Sequence, residues 1–150
     1  MLIQNREITH PDVTTLVWAA EEELLSRYPD EQLSPLDPAA RFVVAYVLGE
    51  PVGCGAYVAV DPAAAATPTA EIKRMWVRPA NRRTGVARRI LTALERRIDA
   101  AGFTTVILET GVLQPEAISL YDSFGYLPME PYGEYVDNPD SRCFTKKLPS

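Results

Sequence analysis

A chain of 150 residues, 47% hydrophobic and 23% charged, is long enough to bury one core and has the balance of a globular protein, not a disordered or fibrous one. Its net charge of −5 argues against a general nucleic-acid binder, which carries a basic domain, and no apolar run approaches the roughly 20 residues of a membrane span. Two cysteines, Cys54 and Cys143, and a single histidine, His10, make neither a zinc site of ordinary spacing nor a disulfide framework; with no apolar leader at Met1–Arg6, the expected location is cytoplasmic.

Residues 2–9 read as a strand. His10, ahead of Pro11, suits a turn or cap, and Asp12 is the expected N-cap of a helix whose Val13, Leu16, Val17, Ala20, Leu24 and Leu25 recur at helical spacing to about Tyr28. Pro29, Pro35 and Pro38 make residues 29–40 a loop. Arg41–Leu48 and Val52–Val60 read as a hairpin turning at Gly49-Glu50-Pro51, and Asp61–Pro68 as an exposed connection. Thr69–Val77 is a further strand. A helix over Gly85–Ala101 buries Val86, Ile90, Leu94 and Ile98 and closes at Gly102. Thr104–Glu109 is a short β-branched strand, and a right-handed crossover makes it parallel to Thr69–Val77. A second helix opens at Gln114-Pro115 and ends at Gly125, and two strands near 127–136 and 142–148 complete the chain. The expected fold is one α/β domain over residues 1–150, a mixed sheet with a central parallel strand pair and helices on its faces.

Arg82-Arg83-Thr84-Gly85-Val86-Ala87 lies between a strand and an amphipathic helix. The first helical turn has N–H groups without intrahelical partners, the helix dipole adds positive charge there, and a glycine allows close approach, so the stretch suits a phosphate. Residues 73–97 hold nine basic residues and one acid, a local net of +8 in a chain that is otherwise −13. Such a field in an acidic protein points to a specific anion, and the arginine forks of Arg82 and Arg83 suit phosphate oxygens. The arginines further along the helix read equally well as a solvated face. No aromatic residue interleaves with them over residues 77–102, which argues against nucleic acid.

The pattern Arg82-x-x-Gly85-x-Ala87, after Met75-Trp76-Val77-Arg78-Pro79, resembles the acyl-CoA loop of the GNAT acetyltransferases. Gln114-Pro115-Glu116-Ala117, with Tyr121 and Gly125-Tyr126 downstream, resembles the family's second motif, with Gln114 where the family often has Asn. The resemblance covers residues 40–148; residues 1–40 match only in secondary structure. It implies the acyl-CoA N-acyltransferase fold, with the central parallel pair splayed at the cofactor site. It implies acetyl-CoA as donor and no metal. Backbone groups of Arg82, Arg83, Thr84, Gly85, Val86 and Ala87 would cradle the pyrophosphate, Arg88 or Arg89 would reach the ribose phosphate, and Met75, Val77 and Gln114 would pair with the pantetheine arm. It further implies a general base at Glu71 and a general acid at Tyr121.

Alkyl amines are protonated near pH 7, so a base is required, and the leaving thiolate needs a proton. Even spacing places Glu71 on the strand face of Met75 and Val77, and Arg74 opposite. The ordinary alternatives are a strand carboxylate paired with Lys73 or Arg74, and a core tyrosine packed on Phe124 and Ile118. Trp76 reads as core packing, and Glu109 as a second carboxylate candidate. Acids on the first helix (Glu21, Glu22, Glu23) and around Tyr132 and Tyr135 (Glu130, Glu134) would favour a cationic acceptor. The expected partner is a small-molecule amine: a polyamine, an amino acid or an aminoglycoside-like compound. A protein lysine or N-terminal acceptor, and a non-catalytic acetyl-CoA sensor, are the alternatives. The oligomeric state stays open, a homodimer included.

Overall fold

Strand pairing begins at the N-terminus. In the computed structural model, which describes residues 1–112 and 114–149, β1 (Leu2–Arg6), β2 (Arg41–Val47) and β3 (Glu50–Ala59) pair antiparallel in sequence. The β2–β3 turn is Leu48-Gly49 and not Gly49-Glu50-Pro51: both residues are left-handed (φ 51° and 79°), the twist a two-residue hairpin turn requires. The remaining elements are α1 (Pro11–Arg27), β4 (Thr69–Val77), α2 (Val86–Ala100), β5 (Thr105–Gly111), α3 (Pro115–Ser123), β6 (Leu127–Met129) and β7 (Ser141–Lys147). The strands hydrogen-bond in the order β1-β2-β3-β4-β5-β7-β6. Thr69–Ile72 of β4 runs parallel to Thr105–Leu108 of β5, as expected. The sixth strand is shorter than the expected 127–136, because Pro128 and Pro131 withhold ladder donors and Gly133–Tyr135 turns as a short 3-10 helix.

The cap of α1 is His10, not Asp12. The His10 ring accepts the Asp12 N–H at 3.0 Å, and Pro11 fills the first helical position, where a missing N–H costs nothing. The Asp12 carboxylate instead accepts from the Tyr46 hydroxyl, which in turn accepts from Arg6 Nε at 2.9 Å.

The chain packs as two compact units, Met1–Val58 with Arg74–Leu94, and Ala59–Lys73 with Glu95–Ser150. In the first, Val13, Leu16 and Val17 of α1 meet Phe42, Val44, Cys54 and Ala56, with Trp76 against them. The opposite face of β3 carries Gly53 and Gly55, and α2 lies against the space they leave. A Cβ on Gly53 would stand 2.9 Å from the Trp76 carbonyl oxygen and 3.0 Å from an Ile90 methyl; one on Gly55 would stand 2.8 Å from both Met75 Sδ and a Leu94 methyl.

In the second unit, strand register puts Ala70, Ile72, Val106, Leu108 and Phe144 on one face, all buried. Tyr121 and Tyr126 join that face through ring contacts, 5.8 Å between their centroids and 6.4 Å from Tyr121 to Phe144. Glu95 accepts from the Tyr126 hydroxyl at 2.8 Å and from Lys146 Nζ at 2.9 Å. Gly102 (φ 95°) ends α2 as expected, with the Phe103 N–H returning to the Ile98 carbonyl.

The two strand glycines should differ in tolerance. Gly53→Ala meets backbone, which cannot rotate away, and is expected to lower stability by about 1–3 kcal/mol; Gly55→Ala meets the ends of flexible side chains and should cost less. Urea melts of both variants check this, and a Gly53→Ala as stable as the parent protein would contradict the packing.

Candidate active site

β4 changes character at Arg74. Its φ is 61°, a left-handed conformation uncommon for a residue with a side chain, and the ladder to β5 covers only Thr69–Ile72. Strand alternation therefore cannot be counted through Arg74. The expectation that parity sets Glu71 on the face of Met75 and Val77, with Arg74 opposite, fails for that reason. The Arg74 guanidinium is held by Glu21 Oε2 at 3.0 Å and the Ser34 carbonyl at 2.7 Å, and the Arg74 carbonyl accepts from Cys54 Sγ at 3.4 Å. Burial pushes the Cys54 thiol up to about 12, with Arg74 opposing, so Cys54 is an inert core thiol.

Beyond β4 the chain turns. Arg78 anchors the end of the strand, its N–H on the Val52 carbonyl and its Nε on the Pro51 carbonyl. After the short turn Pro79–Asn81, Arg83 (φ 64°) and Gly85 (φ 87°) are both left-handed, and Thr84 donates its hydroxyl to the Asn81 carbonyl. The Arg89 N–H bonds the Gly85 carbonyl, so Val86, Ala87 and Arg88 head α2 and supply its first-turn N–H groups. Arg83, Thr84, Gly85 and Arg88 are exposed, and Val86 is buried under the loop. The turn and the head of α2 thus stand where the sequence places them, directly after β4.

One expectation about this turn needs correction. Arg82 does not offer its guanidinium to a phosphate. Its Nη2 binds both Glu23 oxygens at 2.7 and 2.8 Å, its Nε donates to the Val77 carbonyl at 2.9 Å, and the group sits 5.9 Å from the Trp76 ring centroid. Trp76 Nε1 also donates to Glu23, at 3.0 Å. Burial works to raise the Glu23 carboxyl, but the bonds from Arg82 and Trp76 outweigh it and hold the group below its usual range. Glu21 and Glu23 are thus spent on Arg74 and Arg82 and do not form an acidic wall. Glu23 went unrecognised as a partner because nothing in its local sequence marks one 59 residues away.

In the second unit Glu71 is mostly buried, its side chain 13% exposed. The Tyr132 hydroxyl donates to its Oε2 at 3.1 Å, and Lys73 Nζ lies 4.0 Å from Oε1. Burial raises the Glu71 carboxyl above its ordinary range; Lys73 and the Tyr132 bond pull it back, and Glu134 adds to the rise. Tyr135 packs edge-on against Tyr132, 5.5 Å between centroids. Register places Glu109 two residues beyond Ile107, the partner of Glu71, and opposite Cys143. Glu109 accepts from the Ser141 hydroxyl at 2.6 Å. Burial first and the Glu109 charge second push the Tyr121 phenol well above its usual value, so it stays protonated at any working pH. Tyr121 packs on Tyr126 and Phe144. Gln114 caps α3 with no side-chain bond to the helix, which leaves its amide available. Among the described residues no group of three His, Cys, Asp or Glu could hold a metal ion, and no helix is long and apolar enough to cross a membrane.

The sequence model of the acetyltransferase (GNAT) family matches residues 10–126. The chain belongs to the GNAT family. It is 37% identical to an IAA acetyltransferase of Azospirillum brasilense, over 91% of this chain and 90% of that one. A putative acyl-CoA N-acyltransferase from Klebsiella pneumoniae superposes with a TM-score of 0.81 at 28% identity, covering 98% and 97% of the two chains. A GNAT family acetyltransferase from Elizabethkingia anophelis, solved with acetyl-CoA bound, shares the fold (TM-score 0.73, 17% identity, 98% and 97% covered). This GNAT chain is an acyl-CoA-dependent N-acetyltransferase, with acetyl-CoA as donor and an acceptor substrate.

A thiol so buried should be unreactive. Cys54 is expected to react with Ellman's reagent at pH 8 only after denaturation, and rapid modification of Cys54 in the native protein would contradict its placement.

Proposed function

We propose that this GNAT enzyme moves the acetyl group of acetyl-CoA to the primary amine of a small molecule by direct attack in a ternary complex. The observation that carries it is Glu71, a buried carboxyl oriented by the Tyr132 hydroxyl at 3.1 Å. A carboxyl whose affinity for protons is raised by burial is a better base than a solvated one. It takes the ammonium proton, directly or through water, and the free amine nitrogen attacks the thioester carbonyl carbon. The carbon–sulfur bond then breaks, the Tyr121 hydroxyl gives its proton to the CoA thiolate, and the second proton, shed by the nitrogen as the amide forms, restores the Tyr121 phenol while Glu71 releases the first to water. A solvated phenol is a weaker acid than a thiol, so this step needs a desolvated thiolate beside a desolvated phenol; the burial of Tyr121 supports that condition.

For the donor, backbone N–H groups from Arg82, Arg83, Thr84, Gly85, Val86 and Ala87 take the pyrophosphate, and Arg88 reaches toward the ribose phosphate. Met75 and Val77 offer main-chain groups to the pantetheine arm, and one of their N–H groups polarises the thioester carbonyl. The Val77 carbonyl already accepts from Arg82 Nε. Gln114 adds a side-chain amide.

The acceptor end is built from Glu71, Glu109 and Glu134 with Tyr132 and Tyr135. An amine with an apolar body suits these aromatic groups, and Glu21 and Glu23, two of the three α1 acids that would have favoured a polyamine, are already paired. The Azospirillum relative's name adds IAA to the compounds to screen. The reading as a non-catalytic acetyl-CoA sensor requires neither a buried base nor an oriented one.

Glu71→Gln and Tyr121→Phe are each expected to lower kcat about 100-fold or more with little change in acetyl-CoA affinity. Turnover equal to the parent would remove the residue from the mechanism. The acidic limb of kcat against pH should lie above the ordinary glutamate range, since burial raises Glu71. Tyr132→Phe deletes a hydrogen bond that favours the charged carboxylate, so it should move that limb to higher pH; a limb unmoved or moved down would exclude the Tyr132–Glu71 pairing in the working enzyme.

A further inference from the structure

We propose that Glu23 is a positioning residue for the donor: through Arg82 it fixes the pyrophosphate loop, and it keeps the Arg82 side chain off the phosphates. The proposal rests on the reading that this loop holds the pyrophosphate of acetyl-CoA. Arg82 is the first residue of the loop, and its guanidinium makes three bonds at once, two to the Glu23 carboxylate and one to the Val77 carbonyl. It thereby ties the loop to the end of β4 and to α1. Trp76 Nε1 fills a further acceptor site on Glu23 and the Trp76 ring lies beside the guanidinium, so neither partner is left to swing freely.

The next residues turn left-handed at Arg83 and Gly85. A loop whose N–H groups are pre-aimed loses less freedom when it closes on an anion than one that must be ordered by the ligand. The clamp also fixes which basic groups can meet phosphate. Arg82, half-buried and bonded to Glu23 and Val77, contributes order, and the exposed Arg83 and Arg88 contribute charge. Because Glu23 stands in α1 and Val77 in β4, a single ion pair links the helix that opens the chain to the strand end and the loop.

The test compares CoA binding by calorimetry in the parent, Glu23→Gln, Arg82→Met and the double variant, and turnover with S-acetyl-pantetheine, which lacks the pyrophosphate. Arg82→Met keeps the aliphatic stem, and thermal melts identify any variant that fails to fold. The expected result is a Kd for CoA raised about fivefold to tenfold in each single variant and no further in the double. In Glu23→Gln the kcat with saturating acetyl-CoA and the kcat/KM with S-acetyl-pantetheine should both hold at the parent's values. Tighter CoA binding in Glu23→Gln would show that Glu23 competes with phosphate for Arg82, and would overturn the proposal. So would equal losses with both donors, which would mean a general structural role, or parent-like binding in both single variants. If the parent itself bound CoA no better than pantetheine, the pyrophosphate loop would fail, and the clamp with it.

Discussion

A left-handed arginine in the middle of a strand is the constraint on which the donor half of the molecule depends. Arg74 adopts φ 61°, a conformation that costs on the order of 1 kcal/mol for a residue with a Cβ and persists only where neighbours over-determine it. Here they do: a carboxylate and a carbonyl hold the side chain, and a thiol bonds the backbone oxygen. The kink is what a parallel strand needs if its later residues are to leave their ladder and offer main-chain groups to a ligand. The registered pairs of β4 with β5 stop at Ile72, two residues before the kink. Two glutamates of α1, Glu21 and Glu23, therefore serve two arginines that shape the same stretch of backbone.

The other unit follows a different logic, in which burial raises the proton affinity of its titratable groups. Glu71, Tyr121, Tyr132 and Tyr135 all have proton affinities raised first by burial, and the carboxylates of Glu71 and Glu109 reinforce the effect on the phenols. Three phenols kept neutral beside two carboxylates form a site rich in hydrogen-bond donors and poor in water. In such surroundings a carboxylate gains more from an arriving ammonium than it would in water. Lys73 sits at the edge of ion-pair distance from Glu71, near enough to temper its basicity without a close contact.

Much of this was legible in the residue order, and what was not has a common cause. The span Thr69–Val77 was legible from β-branched content and its flanks, and the start of α2 from Gly85 and the periodic run Val86, Ile90, Leu94 and Ile98, because these are local signals. The parallel pairing of β4 and β5 followed from handedness alone. The left-handed Arg74 was not legible, since no glycine or asparagine marks it and its support comes from Glu21, Ser34 and Cys54, all distant in sequence. For the same reason Arg82 read as a phosphate ligand: a charge can be seen in a sequence, but its partner cannot. Tyr132 was noticed as part of an acidic, aromatic stretch, yet its bond to Glu71 crosses 61 residues and a turn that no periodic pattern defines.

The pairing of Arg74 and Arg82 also bears on how donor and enzyme meet. A strongly basic segment would pull a polyanion in from any direction, but two of its charges are paired with carboxylates at 3.0 and 2.7 Å. The field that reaches solvent is weighted toward the exposed Arg83, Arg88 and Arg89 at the mouth of α2. Attraction of that kind acts over about one Debye length, roughly 8 Å at physiological salt, and is blunted by added electrolyte, whereas short hydrogen bonds to a pre-aimed loop are not. Ionic strength should therefore govern how fast an anion reaches that loop far more than how long it stays.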